Sequence, residues 1–414
     1  MKGFLHSSTF LWLLDIFVIC LCAAGINSIH LKANLPFNLT TTKANLVIDE
    51  VSIENGDFSK GQIINSIDGF IFNNWEEVEL YLDAKQIGEK VEIRIDKNAK
   101  LIKTTLASYY SLFDIIIIST VGLFFIFFAI LVRIKAPDNN SASLFHLASL
   151  GLGMIITMTA GNYTFGAFGY GYINRMLWIA AYSVTPVLFI HFALSFVKGN
   201  EKRKIWILGT LYSAAVIHII ILGYFFFDAD LNNSPVGIKN YVLYYDTFFR
   251  IFQIACIVAA ITVCIYAYKR ATALEERKRL QWLLLGFFIG PFSFVLFWIL
   301  PIVLTGHSLI PESLAIIFLI AIPITFSIAI VKYHLMDINL LVRRSIVYSI
   351  ILAAIILTYI GLSSLITLFV QDVNPAFPSI LTAIAVVVAL QPLKSVIQKF
   401  VDKKFFRVEY DFRE

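Results

Sequence analysis

Apolar residues in this chain run in blocks too long for strands and too unbroken for the one-sided helices of a soluble protein. Ten stretches approach the roughly 20 apolar residues that a helix needs to cross the hydrocarbon core. They are 10–26, 112–132, 144–160, 176–197, 205–227, 248–266, 280–304, 314–331, 346–370 and 377–393. The last leans on Pro378 and Pro392 as end markers. The pattern predicts a bundle of about ten transmembrane helices.

Between the first two blocks the period changes. Residues 45–53 (NLVIDEVSI) read as a strand closed by Asn55, Gly56 and Asp57, which favour turns. Residues 61–72 form a second extended stretch broken at Asp68-Gly69, a strong hairpin-turn dipeptide. Asn73 or Asn74 can cap a helix starting near Trp75. On it Trp75, Val78 and Leu82 share one face, and Glu76, Glu77 and Asp83 are expected to be largely solvated. Val91, Ile93 and Ile95 then alternate with Glu92 and Arg94, and a turn at 96–99 returns into 101–106. Residues 31–110 are therefore expected to form a small α/β domain.

Charge orients the chain. Lysine and arginine stay in cytoplasmic loops, and one alternate set of connections holds Arg133 and Lys135, then Lys198, Lys202, Arg203 and Lys204, then Lys269, Arg270, Arg277, Lys278 and Arg279. The same set continues with Lys332, Arg343 and Arg344 and ends with a tail of six more basic residues. The opposite loops hold only Arg175 and Lys239. Both termini are expected in the cytoplasm and 31–110 outside. The first span reads as a retained anchor; the alternative is a cleaved signal peptide, with Lys2 ahead of the apolar run and Cys22-Ala23-Ala24 near the cut.

Composition agrees. The chain is 58% hydrophobic and 15% charged, with 37 Phe and 18 Tyr, whereas a soluble domain is about 25% charged. A water-soluble enzyme, a disordered scaffold and a coiled coil are excluded. A net charge of +5 does not call for a nucleic-acid partner. Cys20, Cys22, Cys256 and Cys264 all lie in apolar runs, so they read as small hydrophobes rather than a disulfide or zinc framework.

Catalytic chemistry has no foothold. The chain carries no H-E-x-x-H, no G-x-S-x-G with plausible partners, no P-loop and no C-x-x-C, so no catalytic residue, metal or cofactor is expected. Ionisable groups inside spans are costly and stand as functional candidates: Asp15, Asp114, His146, His191, His218 and Arg250, with Gln253 nearby. A neutral histidine more often hydrogen-bonds a neighbouring helix than senses anything. The outer segments 161–172 and 231–245, rich in rings (Tyr241, Tyr244 and Tyr245 in the second), fit an aromatic belt, or else a pocket for a hydrophobic or lipidated ligand.

The order strand, strand–turn–strand, helix, hairpin, together with Gly61-Gln62-Ile63-Ile64-Asn65-Ser66-Ile67-Asp68-Gly69, resembles the bacterial PDZ domain, whose pattern runs roughly G-D-x-I-x-x-I-N-G. Gln62 stands where Asp is usual and Asp68 where Asn is usual. The resemblance implies a peptide-binding groove between the strand 46–51 and the helix 75–84, with Leu46, Val47, Ile48, Val78 and Leu82 as its residues. A peptide would add there as a strand, its C-terminal carboxylate near 43–45. The alternative is that Val78 and Leu82 are simply core.

Farther on, Lys332-Tyr333-His334-Leu335-Met336-Asp337-Ile338-Asn339 with Arg343-Arg344, and Gln391-Pro392-Leu393 through Asp402-Lys403-Lys404-Phe405-Phe406-Arg407, are similar to the membrane input region of bacterial PDZ-containing sensor histidine kinases. That group includes the bacillar competence quorum-sensing kinase family. The resemblance implies signal coupling through Lys332, Asp337, Arg343, Arg344, Asp402, Phe405 and Phe406, and a homodimer. Members continue into a kinase module. Here Glu414 is reached without a phosphoacceptor histidine or ATP-binding boxes, so the output is expected to follow in the gene or to come in trans. Residues 395–406 read either as a basic amphipathic helix continuing the last span or as a simple basic stop.

The expected protein is a polytopic α-helical membrane protein with a small extracytoplasmic PDZ-like α/β domain. Its parts are an anchor (1–30), the outer domain (31–110), a multi-span sensor domain (111–393) and a juxtamembrane helix (394–414). It would sit in the bacterial plasma membrane and detect an extracellular peptide, protein C-terminus or envelope ligand. A cytoplasmic histidine kinase domain or response regulator would receive the signal, and the partners would be these together with membrane lipid. The alternative is a non-signalling protein whose PDZ-like domain tethers an envelope partner.

Overall fold

The computed structural model describes residues 8–42, 45–51, 58–95, 100–158, 170–197, 199, 201–232, 234–305 and 308–331. The chain divides into two compact units, Met1–His334 and Leu335–Glu414, and every described residue belongs to the first.

Helix α1 (Ser8–Ile29) leads into a sheet domain. Strands β2 (Phe37–Thr42), β3 (Asn45–Val51), β4 (Ile63–Ile67), β5 (Lys90–Ile95) and β6 (Lys100–Thr105) pair antiparallel in sequence order, with α2 (Trp75–Leu82) between β4 and β5. Alternating apolar positions build the core: Phe37, Leu46, Ile48, Ile67, Val91 and Ile93 from the sheet, Val78 and Leu82 from α2. The turn dipeptide does what its chemistry allows. Asp68 (φ 49°) and Gly69 (φ 83°) both take left-handed backbone, closing Ile67 against Phe70 through two 2.9 Å hydrogen bonds, the geometry of a primed hairpin turn. Asp68 also accepts from the Glu92 amide at 2.7 Å and the Tyr81 hydroxyl at 3.0 Å.

A two-residue ladder, β1 (Ala33–Asn34) with β7 (Ala107–Ser108), clamps the two ends of the domain together. The exit of α1 therefore stands beside the start of α3 (Leu112–Lys135). Ser111 caps α3 reciprocally with Asp114, which accounts for that carboxylate at the span boundary.

The bundle continues with α4 (Asn140–Met158), α5 (Tyr170–Leu194), α6 (Glu201–Asn232), α7 (Pro235–Tyr244), α8 (Arg250–Arg270), α9 (Leu274–Phe287), α10 (Leu300–Thr305), α11 (Glu312–Phe318) and α12 (Ala321–Val331). Among the described residues eight helices are long and apolar enough to cross a membrane; they coincide with the first eight expected spans. The expected spans 346–370 and 377–393, the tail, and Lys332, Asp337, Arg343, Arg344, Asp402, Phe405 and Phe406 lie outside the described residues, as does most of 161–172.

One segment expected to be an outer loop differs from expectation. Residues 235–245 are not a belt-lining loop but the first turns of a continuous helix that runs Pro235–Arg270. Ser234 caps it and Pro235 opens it, a position where a missing N–H costs nothing. Gly237 lets it lie against α6, since a Cβ there would stand 2.6 Å from the Ala229 nitrogen. Ile238, Tyr241 and Val242 are consequently buried in the bundle. Tyr241 stacks on Tyr245, with ring centroids 6.1 Å apart.

Candidate ligand groove and charged junction

Helix α2 has two working faces. One borders an open groove against β2, walled by Phe37, Leu39 and Thr40 on one side and Trp75, Val78 and Glu79 on the other. The groove was expected one strand away. Strand β3 is bonded on both sides, to β2 and to β4, so the outermost strand beside α2 is β2. Of the five expected groove residues, Val78 alone lines it. Leu46, Ile48 and Leu82 are core, and Val47 points to the opposite face of β3. The short alternation Phe37-Asn38-Leu39 ahead of three threonines was the available signal for β2.

The other face of α2 meets the bundle, where the expectation of solvated carboxylates fails. Glu77 and Asp83 are each 3% exposed, and the Glu76 side chain is 14% exposed. Glu77 turns back to accept from the Asn73 amide at 2.8 Å. Glu76 lies 3.8 Å from Arg250, whose other nitrogen is 3.1 Å from Asp246. Lys32, at the end of α1, is buried between Glu79 and Asp83 and lies 4.6 Å over the Tyr109 ring. Arg175 donates to the Tyr241 hydroxyl at 3.1 Å and lies 4.7 Å over Trp178. A charge-lined chamber lies between these groups.

Burial governs the protonation of this junction. It pushes Glu76 up to about 8, and the Asp246 charge adds to the effect against Arg250. It likewise raises Asp83 to about 6 although Lys32 opposes it. For Lys32 burial pulls down, but the charges of Asp83 and Glu79 outweigh it and the ammonium is held well above its ordinary value. Enclosure raises Tyr109 and Tyr110 far above the usual phenol range.

At the opposite end of the bundle a second charged cluster forms. Asp15 of α1 is bonded by the Arg133 guanidinium of α3, which also lies 4.6 Å over the Trp12 ring. His146 of α4 places Nε2 3.0 Å from Asp15 and Nδ1 3.0 Å from the Ala129 carbonyl. The other intramembrane histidines join neighbouring helices: His191 to the Tyr212 hydroxyl at 3.1 Å and His218 to that of Tyr244 at 2.9 Å. Cys22, Cys256 and Cys264 are buried thiols, while Cys20 is exposed on α1. Among the described residues no group of three or more His, Cys, Asp or Glu is placed to hold a metal ion.

Sequence separation hid these arrangements: Asp15 and Arg133 are 118 residues apart, and no local pattern pairs them. No family model, no curated protein and no solved structure matches the chain.

Proposed function

We propose that this chain is the input module of a bacterial two-component sensor, similar to PDZ-containing sensor histidine kinases. Its sheet domain would capture an extracellular peptide or envelope-protein C-terminus, and its bundle would relay the event to a cytoplasmic kinase output. The observation that carries the reading is the double role of α2. A peptide added beside β2 would press on Trp75 and Val78, while Glu76, Glu79 and Asp83 of the same short helix face the charged junction with the bundle. The strand would come from the peptide, side-chain selection from the groove, and the carboxylate would rest on the loop preceding β2 at 35–36 rather than near 43–45. A ligand shifts such a system only if it binds one docking arrangement of α2 better than another.

The test uses the full chain in nanodiscs and a library of peptides with free C-termini. Binding that is lost on amidating the peptide terminus and on Trp75→Ala supports the groove. Peptide-dependent change in hydrogen exchange along Pro235–Arg270 supports the relay. Peptide binding without any change there would leave the tether in place of the sensor, and no peptide binding at all would remove both.

A further inference from the structure

Helix α2 meets the bundle through two kinds of contact. Leu80 is buried in one cluster with Ile238, Tyr241 and Val242 of the bundle, and an apolar contact of that kind is indifferent to pH. Around it stand charged groups from every element that meets there. Glu76, Glu79 and Asp83 come from α2, Lys32 from the end of α1, Arg175 from α5 and Glu312 from the start of α11. Asp246 and Arg250, 3.1 Å apart, belong to the long helix Pro235–Arg270. The phenols of Tyr109, Tyr110, Tyr241 and Tyr245 complete the titratable lining; a phenol ordinarily titrates near pH 10.

Five carboxyls thus face three cations. Fully ionised, the junction would hold two negative charges in excess, a costly state among side chains as buried as Lys32, Asp83 and Arg250. The geometry shows where the excess falls. Glu79 and Asp83 share the one ammonium of Lys32. Glu76 and Asp246 share the one guanidinium of Arg250, at 3.8 and 3.1 Å. One proton on each sharing pair restores balance, and the raised values of Asp83 and Glu76 agree with that assignment.

The second pair joins the head to the bundle, since Glu76 comes from α2 and Asp246 from the span. Arg250 also marks an irregular point of that span. It follows the π-helical turn Tyr245–Phe249 and opens the α-helix that runs on to Arg270. Turns of this kind concentrate at functional sites.

We propose that the junction is a proton-operated latch and that the proton is an input of this chain in its own right: α2 is docked while each sharing pair holds a proton, and ionisation of both pairs releases α2 and leaves Arg250 to its own helix. The latch uses the helix of the proposed relay but needs no peptide. Its sign follows from the direction of the shifts. Values raised in the docked state favour docking fully at low pH, and that contribution is lost as pH rises through them.

The experiment places spin labels on cysteines introduced by Lys90→Cys and Val236→Cys, at exposed positions of β5 and α7. The full chain, freed of its native thiols, is held in nanodiscs with no peptide present. The distance between the labels should be narrowly distributed at pH 5 and gain a second, displaced population by pH 9. Most of the change should fall between about pH 6 and 8. Glu76→Gln, fixed in the neutral form, should remove the upper part of the transition, and Glu76→Gln with Asp83→Asn should abolish it. Glu92→Gln, at an exposed ion pair of the head outside the junction, should leave it unmoved. Hydrogen exchange at 245–250, corrected for intrinsic rates, should change over the same window. An unchanged distance from pH 5 to 9, release on acidification, or an undiminished transition in the folded double variant would overturn the proposal. So would a transition at the labels with no change at 245–250, because the proton would then move the head without informing the bundle. Thermal unfolding shows which variants fold; should neither junction variant do so, the distance and exchange series of the unsubstituted junction decide alone.

Discussion

At the scale of single residues, the polar groups inside the bundle are placed in company. Asp15 is held by Arg133 and approached by His146. Both ring nitrogens of His146 face acceptors, the Ala129 carbonyl and the Asp15 carboxyl. Removing one member of a buried ion pair costs about 3–5 kcal/mol, because the other charge is left uncompensated, whereas replacing both by apolar groups is often close to neutral. Asp15→Ala is therefore expected to lower stability by an amount of that order. Asp15→Leu combined with Arg133→Met should lose much less than the two single changes added. Thermal or denaturant unfolding in one detergent, set out as a double-mutant cycle, checks this, and simple additivity would contradict it.

At the scale of elements, α2 is the informative piece. Its cap, Asn74 accepting from the Glu77 amide at 2.9 Å, and its apolar positions Val78 and Leu82 are local features and were legible. Its acidic face was not: Glu76 and Asp83 look solvated on a helical wheel and are enclosed because the bundle covers them. That enclosure makes docking depend on pH. Both carboxyls have folded values raised above their ordinary ones, Glu76 from 4.5 to about 8 and Asp83 from 3.8 to about 6. A raised value favours the docked state fully below the ordinary value, and that contribution is lost as pH rises through the raised one. Protection of α2 from hydrogen exchange, corrected for intrinsic rates, should fall between about pH 4 and 8, in the window these shifts define. Glu76→Gln should flatten its upper part. Protection that rises with pH would refute the burial argument.

At the scale of the whole molecule, eight apolar helices and one sheet domain are compatible with a membrane protein that carries a head on one side. The basic loops predict which side that is. A cysteine placed at Glu89, in the sheet domain, should react with an impermeant maleimide on intact cells, in a background without the native thiols. One at Glu275, ahead of the α9 span, should react only after permeabilisation. The reverse labelling would invert the topology and remove the case for an external ligand.

What the sequence determined by itself is what short range decides. A span is recognisable because hydrocarbon thickness sets its length residue by residue, and the Asp68-Gly69 turn because only certain residues take left-handed backbone cheaply. Tertiary structure alone decided which strand borders α2, where the carboxylates of α2 go, that Tyr241 lies inside a helix packed on α6, and that Asp15 meets Arg133. Each of those depends on which faces come together across long separations, and the free energy of a buried charge is set by the neighbours it finds there, not by the residues beside it in the chain.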